Sequence, residues 1–311
     1  MKRIVRKFKK LGFKLGLMKA IGYEAEFTCA LRKKGEETEY TAYTKTKDFW
    51  YADPLIYAYD NKEYIFMEAF ERCSGLGRIA VSEIRQERMG EPKIIISEDF
   101  HLSFPVIFTH RNKIYMIPET STAHKVIIYE CKSFPYHWEK KAELLEGREL
   151  VDIVPVDYGE NEILFLASQC EKDSLRVKFQ AFKLTFEDGR FGTRLLEDYN
   201  KTQDYSYFSR NAGFPGKNYL VLQKSTPGIY GYSIVFVKNK DKIPTKLEVI
   251  REIKPEDIKI KKNAVKHIIG THTYSCTEKY EVIDIQYLRF NKMKWIERIK
   301  KDLRHDKTTT N

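Results

Sequence analysis

The sequence lacks any apolar run approaching the roughly 20 residues that a membrane-spanning helix needs. That excludes a helical membrane anchor. Its five cysteines, Cys29, Cys73, Cys131, Cys170 and Cys276, are odd in number and form no Cys-x-x-Cys pair. A disulfide framework and a thiolate zinc site are disfavoured, and a reduced, intracellular protein is the simplest reading. His-Glu-x-x-His and Gly-x-Ser-x-Gly are both absent, which removes the zinc-protease and serine-hydrolase readings. Gly75-Leu-Gly77 lacks the context of a phosphate-cradling loop. No metal and no cofactor is expected.

Acidic charge is missing where basic charge is densest. Residues 1–22 hold eight basic residues and no acidic one, and residues 289–304 hold seven basic and two acidic. The net charge of +11 therefore resides in two terminal segments around a near-neutral body. A nucleic-acid-binding protein more often spreads its charge over a folded face, so no nucleic acid partner is expected. Ile4, Phe8, Leu11, Leu15 and Met18 share one helical stripe, with lysines and arginines between them. Two readings stay open: a helix in an anionic membrane interface, or a helix packed on the domain with a solvated basic face. Trp295, Ile299 and Leu303 predict a second basic helix.

Aromatic residues are abundant, with 20 Tyr and 19 Phe, which favours strands. A five-residue phrase recurs: Tyr64-Ile-Phe-Met-Glu68, Tyr115-Met-Ile-Pro-Glu119, Leu164-Phe-Leu-Ala-Ser168, Tyr219-Leu-Val-Leu-Gln223 and Tyr280-Glu-Val-Ile-Asp284. Its end points lie 51, 49, 55 and 61 residues apart. A period of this size filled with short strands predicts a propeller. The fold expected is all-β, a five-bladed β-propeller over 23–290 with basic amphipathic helices at 1–22 and 291–304 and a disordered tail at 305–311. The fifth blade has no outer strands downstream of it. Residues 24–46 read as strands that could close the ring.

The start of each innermost strand of a propeller faces the axis. Those positions hold Asp53, His101 with Ser103, Asp152, Arg210 and His272, and the second-strand ends add Glu68, Glu119, Gln223 and Asp284. Paired carboxylates on one cleft supply the proton transfer and charge stabilisation that glycosyl chemistry needs. Arginine suits a phosphate or carboxylate. Each residue also has a structural reading. Asp53 could cap a turn, Glu119 could be a solvated edge charge, Arg210 could pair with one of the acids, and the histidines could be satisfied structural groups. Gln223 and Asp284 read better as inter-blade hydrogen-bonding groups.

Phe49-Trp-Tyr-Ala-Asp-Pro54, His101-Leu-Ser-Phe-Pro105, Tyr115-Met-Ile-Pro-Glu-Thr120, Arg210, Gln223, Tyr230-Gly231 and Gly270-Thr-His-Thr273 resemble the propeller domain at the N-terminus of glucosamine inositolphosphorylceramide transferases. Related domains occur among bacterial surface-polysaccharide proteins. The resemblance covers about residues 45–290. More distantly the chain is similar to the five-bladed propellers of family 43 and family 32 glycoside hydrolases. The family 43 pattern would place a general base on Asp53 and an acidity-tuning Asp on Asp152. Its general acid would fall near Arg210-Asn211, where no carboxylate stands.

The function expected is sugar transfer from an activated donor to a lipid-linked acceptor, in bacterial surface-polysaccharide synthesis at the cytoplasmic face of the membrane. Asp53, Glu119 and Asp152 would carry the catalysis. Glu68, His101, Ser103, Arg210, Gln223, Tyr230 and His272 would bind substrate, with Arg210 and His272 on a donor phosphate. A glycoside hydrolase and a non-catalytic glycan-binding subunit are the alternatives.

Overall fold

A computed structural model describes residues 18, 22–35, 39–170, 177–187, 189–196, 210–226, 229–239, 247–292 and 295–296. They form five antiparallel sheets arranged as a propeller. Blade 1 runs Phe49–Tyr59, Lys62–Glu71, Leu76–Arg85 and Lys93–Ile96. Blade 2 runs Ser103–His110, Lys113–Glu119, Val126–Ser133 and His137–Leu144. Blade 3 runs Leu150–Tyr158, Glu162–Cys170, Val177–Glu187 and Arg190–Leu195. Blade 4 runs Arg210–Asn211, Tyr219–Thr226, Ile229–Lys238 and Val249–Ile253.

Blade 5 is assembled from both ends of the chain. Ile268–Gly270 and Tyr274–Cys276 pair with Tyr280–Phe290. That strand then pairs along its whole length with Tyr23–Lys33, and Thr41–Ala42 forms the outer edge. Closing the ring in this way pairs Tyr280–Phe290 on both of its edges. Arg72 reinforces the seam. It grips Glu26 through two hydrogen bonds, at 3.1 and 2.7 Å, and donates to the carbonyls of Thr46, Lys47 and Phe49.

Apolar alternation along the strands builds one cluster at each blade interface. Phe66, Ile79 and Met116 join blades 1 and 2; Phe108, Phe165 and Phe182 join 2 and 3; Leu166, Leu220 and Val235 join 3 and 4. Val221, Ile234 and Ile283 join 4 and 5, while Cys29, Ile65 and Val282 close 5 on 1.

The inner strands of blades 1 to 3 share a defect that shapes the axis. Pairing jumps from Ala52↔Glu68 to Leu55↔Phe66, from Ser103↔Glu119 to Val106↔Ile117, and from Val151↔Ser168 to Val154↔Leu166. Each inner strand thus carries one extra residue. Asp53, Phe104 and Asp152 occupy it with φ of 50°, 43° and 50°. Asp tolerates this left-handed conformation, and Pro54 and Pro105 sit where the bulge needs no ladder N–H.

No α-helix is established among the described residues. The helix expected at 1–22 falls almost wholly outside them, as do most of 291–304 and all of 305–311.

Candidate functional site

The bulges push side chains onto the axis, where a cavity of about 200 Å³ is lined by thirteen residues. Nine of the ten expected residues are among them: Asp53, Glu68, His101, Ser103, Glu119, Asp152, Arg210, Tyr230 and His272. Gln223 is the exception. It is buried and faces Arg210 across the ladder, so it supports the wall rather than forming it. The blade-2 counterpart of Asp53 and Asp152 is Phe104, not His101 or Ser103. The bulge residue of that blade turns into the apolar core, and Ser103 pairs with Glu119 instead.

Asp284 lies fully buried beneath the cavity. It accepts backbone N–H bonds from Asp53 (3.2 Å), His272 (2.8 Å) and Thr273 (3.0 Å), and its carboxylate contacts His272 Nδ1. Asp53 in turn accepts from Thr273 Oγ1 at 2.8 Å and from the Phe104 N–H at 3.2 Å. His272 Nε2 lies 3.8 Å from Asp53 Oδ1. Burial works against protonation of His272, but Asp284 and Asp53 outweigh it and raise the imidazole to about 9. Burial, with help from Asp284 and Asp152, raises Asp53 to about 6 even against the pull of His272.

Blades 2 to 4 form a second knot. Arg210 Nε donates to Asp152 Oδ2 at 2.6 Å, and its guanidinium reaches Glu119 Oε2 at 3.9 Å. Glu119 also accepts from Ser121 Oγ and from the Asp152 N–H. Burial and the neighbouring Asp152 raise Glu119 to about 7, with Arg210 opposing. Asn211 Nδ2 anchors this side by donating to the carbonyls of Asp152 and Leu166.

Glu68 and His101 form the third group. Gly77 N–H donates to His101 Nδ1 at 2.9 Å, which leaves the ring proton on Nε2, 3.3 Å from Glu68 Oε1. Burial lowers the pKa of His101; burial and then Asp53, Glu119 and Asp284 push Glu68 well up. Both shifts favour the uncharged form of their group.

Arg210 and His272 are not free to hold a donor phosphate. Each cation already lies between two carboxylates, and the acids Asp53, Glu68, Glu119, Asp152 and Asp284 outnumber them. A phosphate placed there would add like charge to a poorly solvated cavity. Asp53, His272 and Asp284 are also the one described group whose donor atoms, within 4.8 Å of one another, could share a metal ion.

An aromatic wall adjoins the acids, and its Phe27, Trp50 and Phe70 were not among the residues expected from the sequence. Phe70 stacks on Trp50 (4.4 Å, 11°), Trp50 meets Phe27 (5.4 Å), and Phe27 stacks on His272 (4.6 Å, 16°). Tyr230 meets His272 edge-on, with Arg210 over its ring. Trp50 lies three residues before Asp53, so alternation alone would set the two on opposite faces, and the bulge brings both to the cavity. Phe70 lies two residues beyond Glu68 on one strand, so alternation was its signal; Phe27, from the first strand of the chain, had none.

Aromatic side chains beside convergent carboxylates suit a sugar ring, whose C–H groups pack on apolar surface while its hydroxyls hydrogen-bond. Fold and site together define a five-bladed propeller with an acidic, aromatic-walled central funnel. The model of the family "Glucosamine inositolphosphorylceramide transferase 1, N-terminal" matches residues 37–302, and the chain belongs to that family. Glucosamine inositolphosphorylceramide transferase 1 of Arabidopsis thaliana is 33% identical over 103 residues, 32% of this chain and 13% of the plant protein. Its counterpart from Oryza sativa subsp. indica is 30% identical over 112 residues, 34% of this chain and 14% of that protein. The matches thus span a small part of these relatives. A family 43 β-xylosidase/α-arabinofuranosidase from a compost microbial metagenome shares the fold, with a TM-score of 0.51, 13% identity and coverage of 83% of this chain and 95% of that one.

Proposed function

We propose that the funnel binds a glycosyl unit and that the chain acts in glycan assembly, transferring a sugar from an activated donor to a lipid-linked acceptor. The observation that carries this reading is the pairing of an aromatic wall with Glu119 and Asp53, held near 7 and 6. Groups in that range exchange protons at neutral pH, as general acid–base steps require. Glu119 would give or take the proton at the glycosidic oxygen. Asp53 would orient or deprotonate the acceptor hydroxyl, and the Asp152 side would stabilise positive charge developing on the ring. The donor's phosphates would remain outside the acidic floor. Names of the plant relatives support sugar transfer to a lipid headgroup. Synthesis of a bacterial surface polysaccharide, at the cytoplasmic face of the membrane and against its anionic lipids, is the specific setting proposed.

The two carboxyls with raised pKa values also favour a second reading, a glycoside hydrolase that uses Glu119 in place of the missing fourth-blade acid. A nucleotide-sugar turnover screen and a glycan array, run beside aryl-glycoside hydrolysis, separate the readings. Transfer predicts donor consumption that falls by about 10²–10⁴-fold in Asp53→Asn and Glu119→Gln. Aryl-glycoside cleavage without donor consumption would replace it with the hydrolase. Sugar binding without any turnover would leave a glycan-binding subunit.

A further inference from the structure

The two basic segments lie at opposite ends of the sequence, yet the fold brings them out together. In the closing pair of strands Tyr23 lies opposite Phe290. Asn291 N–H then donates to the Gly22 carbonyl at 2.8 Å. Gly22 has φ +95°, and a Cβ added there would stand 2.7 Å from Trp295 Cβ. Only glycine permits so close an approach of the two ends. Gly22 and Asn291, the points where the propeller joins a sequence segment of eight basic residues and no acid (1–22) and one of seven basic and two acidic residues (289–304), are therefore adjacent.

Both points lie on the open side of the funnel. Along Tyr280–Phe290, Asp284 lies at the funnel floor with 0% exposure, while Phe290 is 46% exposed. Phe27 of the aromatic wall pairs with Gln286, between those two levels. Blade 1 is ordered in the same sense, with Asp53 on the floor, Trp50 in the wall and Phe49 beyond it. Tyr230 on the rim adjoins Ile229, which packs with Leu288 against Met18 and Tyr23.

The surface there mixes exposed aromatics with basic side chains. Phe290 and Trp295 are both exposed, with rings 6.2 Å apart. Arg289 continues into a groove of about 810 Å³ that Lys45, Lys47 and Phe49 also line, with Asp48 and Glu91 as its acids. The three carbonyl bonds from Arg72 hold the lysine-bearing loop in place. Lys45, Lys47 and Lys292 are exposed and make no ion pair among the described residues. Aromatic rings beside Lys and Arg on one face suit the headgroup level of an anionic bilayer.

We propose that the mouth of the funnel, with Lys45, Lys47, Phe290, Lys292 and Trp295 beside it, docks on an anionic phospholipid bilayer, so that the glycosyl site opens toward the lipid headgroups. The identity of the acceptor rests on the transfer reading above; the docking itself does not. Flotation of the full chain with phosphatidylcholine vesicles, with and without phosphatidylglycerol, tests it. Binding should require phosphatidylglycerol, and Lys45→Glu/Lys47→Glu should weaken it by roughly 30-fold or more with an unchanged melting temperature. Orientation is read from single-tryptophan proteins. Trp295 alone (Trp50→Phe/Trp138→Phe) should be quenched by bromine-labelled lipid. Trp138 alone (Trp50→Phe/Trp295→Phe) packs at the opposite end beside Phe66 and should not be quenched. Absence of anionic-vesicle binding, equal quenching of the two tryptophans, or preference for an RNA duplex over the vesicles would overturn the proposal. Docking without sugar turnover would leave it standing and remove the transfer reading. Soluble-sugar binding without docking would do the reverse.

Discussion

Replacing Asp284 with Asn probes the charge balance beneath the funnel. Asp284 is the buried anion that raises His272 from 6.5 to about 9. A group whose folded pKa is raised stabilises the fold in full below its unfolded value, and loses that contribution as pH rises through the folded one. For His272 the window runs from 6.5 to about 9, and the contribution is on the order of 3 kcal/mol. In Asp284→Asn the amide oxygen can still accept from the His272 and Thr273 N–H groups, replacing Oδ1. The amide nitrogen then faces His272 Nδ1 and favours the neutral ring. It also leaves the Asp53 N–H without its acceptor, costing about 1–3 kcal/mol at any pH. Urea unfolding from about pH 5.5 to 9.5 reads the result. The deficit of the variant relative to wild type should be largest in acid, at about 4–6 kcal/mol, and should shrink to about 1–3 kcal/mol above pH 9. A deficit that is flat or grows with pH would refute the assignment of His272 as a buried cation held by Asp284.

Three further outcomes follow from the same contacts. Arg210→Met leaves Asp152 and Glu119 without their shared cation and should destabilise the fold by about 3 kcal/mol in chemical denaturation at pH 7, with less loss near pH 5, where Glu119 is protonated. Trp50→Ala removes the centre of the aromatic wall; calorimetry should show glycan affinity reduced by roughly tenfold or more with little change in melting temperature. Gly231→Ala places a Cβ 2.7 Å from His272 Cβ at φ +61°, and should cost about 1–3 kcal/mol in thermal or urea unfolding.

Much of the fold was legible because blades repeat in sequence as they do in space. The Pro54–Glu68 and Pro105–Glu119 spans match because both contain the same bulge and hairpin. Where that bulge falls decided which residue reaches the axis. His101 and Ser103 looked equivalent to Asp53, but the left-handed position of blade 2 belongs to Phe104, whose ring is buried. Strand alternation puts Phe70 on the face of Glu68, but without the bulge it would set Trp50 and Asp53, three residues apart, on opposite faces. It could not show that Phe27, from the opposite end of the chain, completes their wall.

The sequence by itself determined the strands, the number of blades, the acids and histidines at the funnel level, and the concentration of basic charge in two terminal segments. These follow from local patterns: alternation, turn residues and composition. The tertiary structure alone decided how those charges are used. Ion pairing and pKa depend on through-space distance and burial, so only the folded chain shows that Arg210 and His272 are committed to carboxylates. It alone, through the pairing of Tyr23 with Phe290, brings together the two points where the basic segments join the propeller.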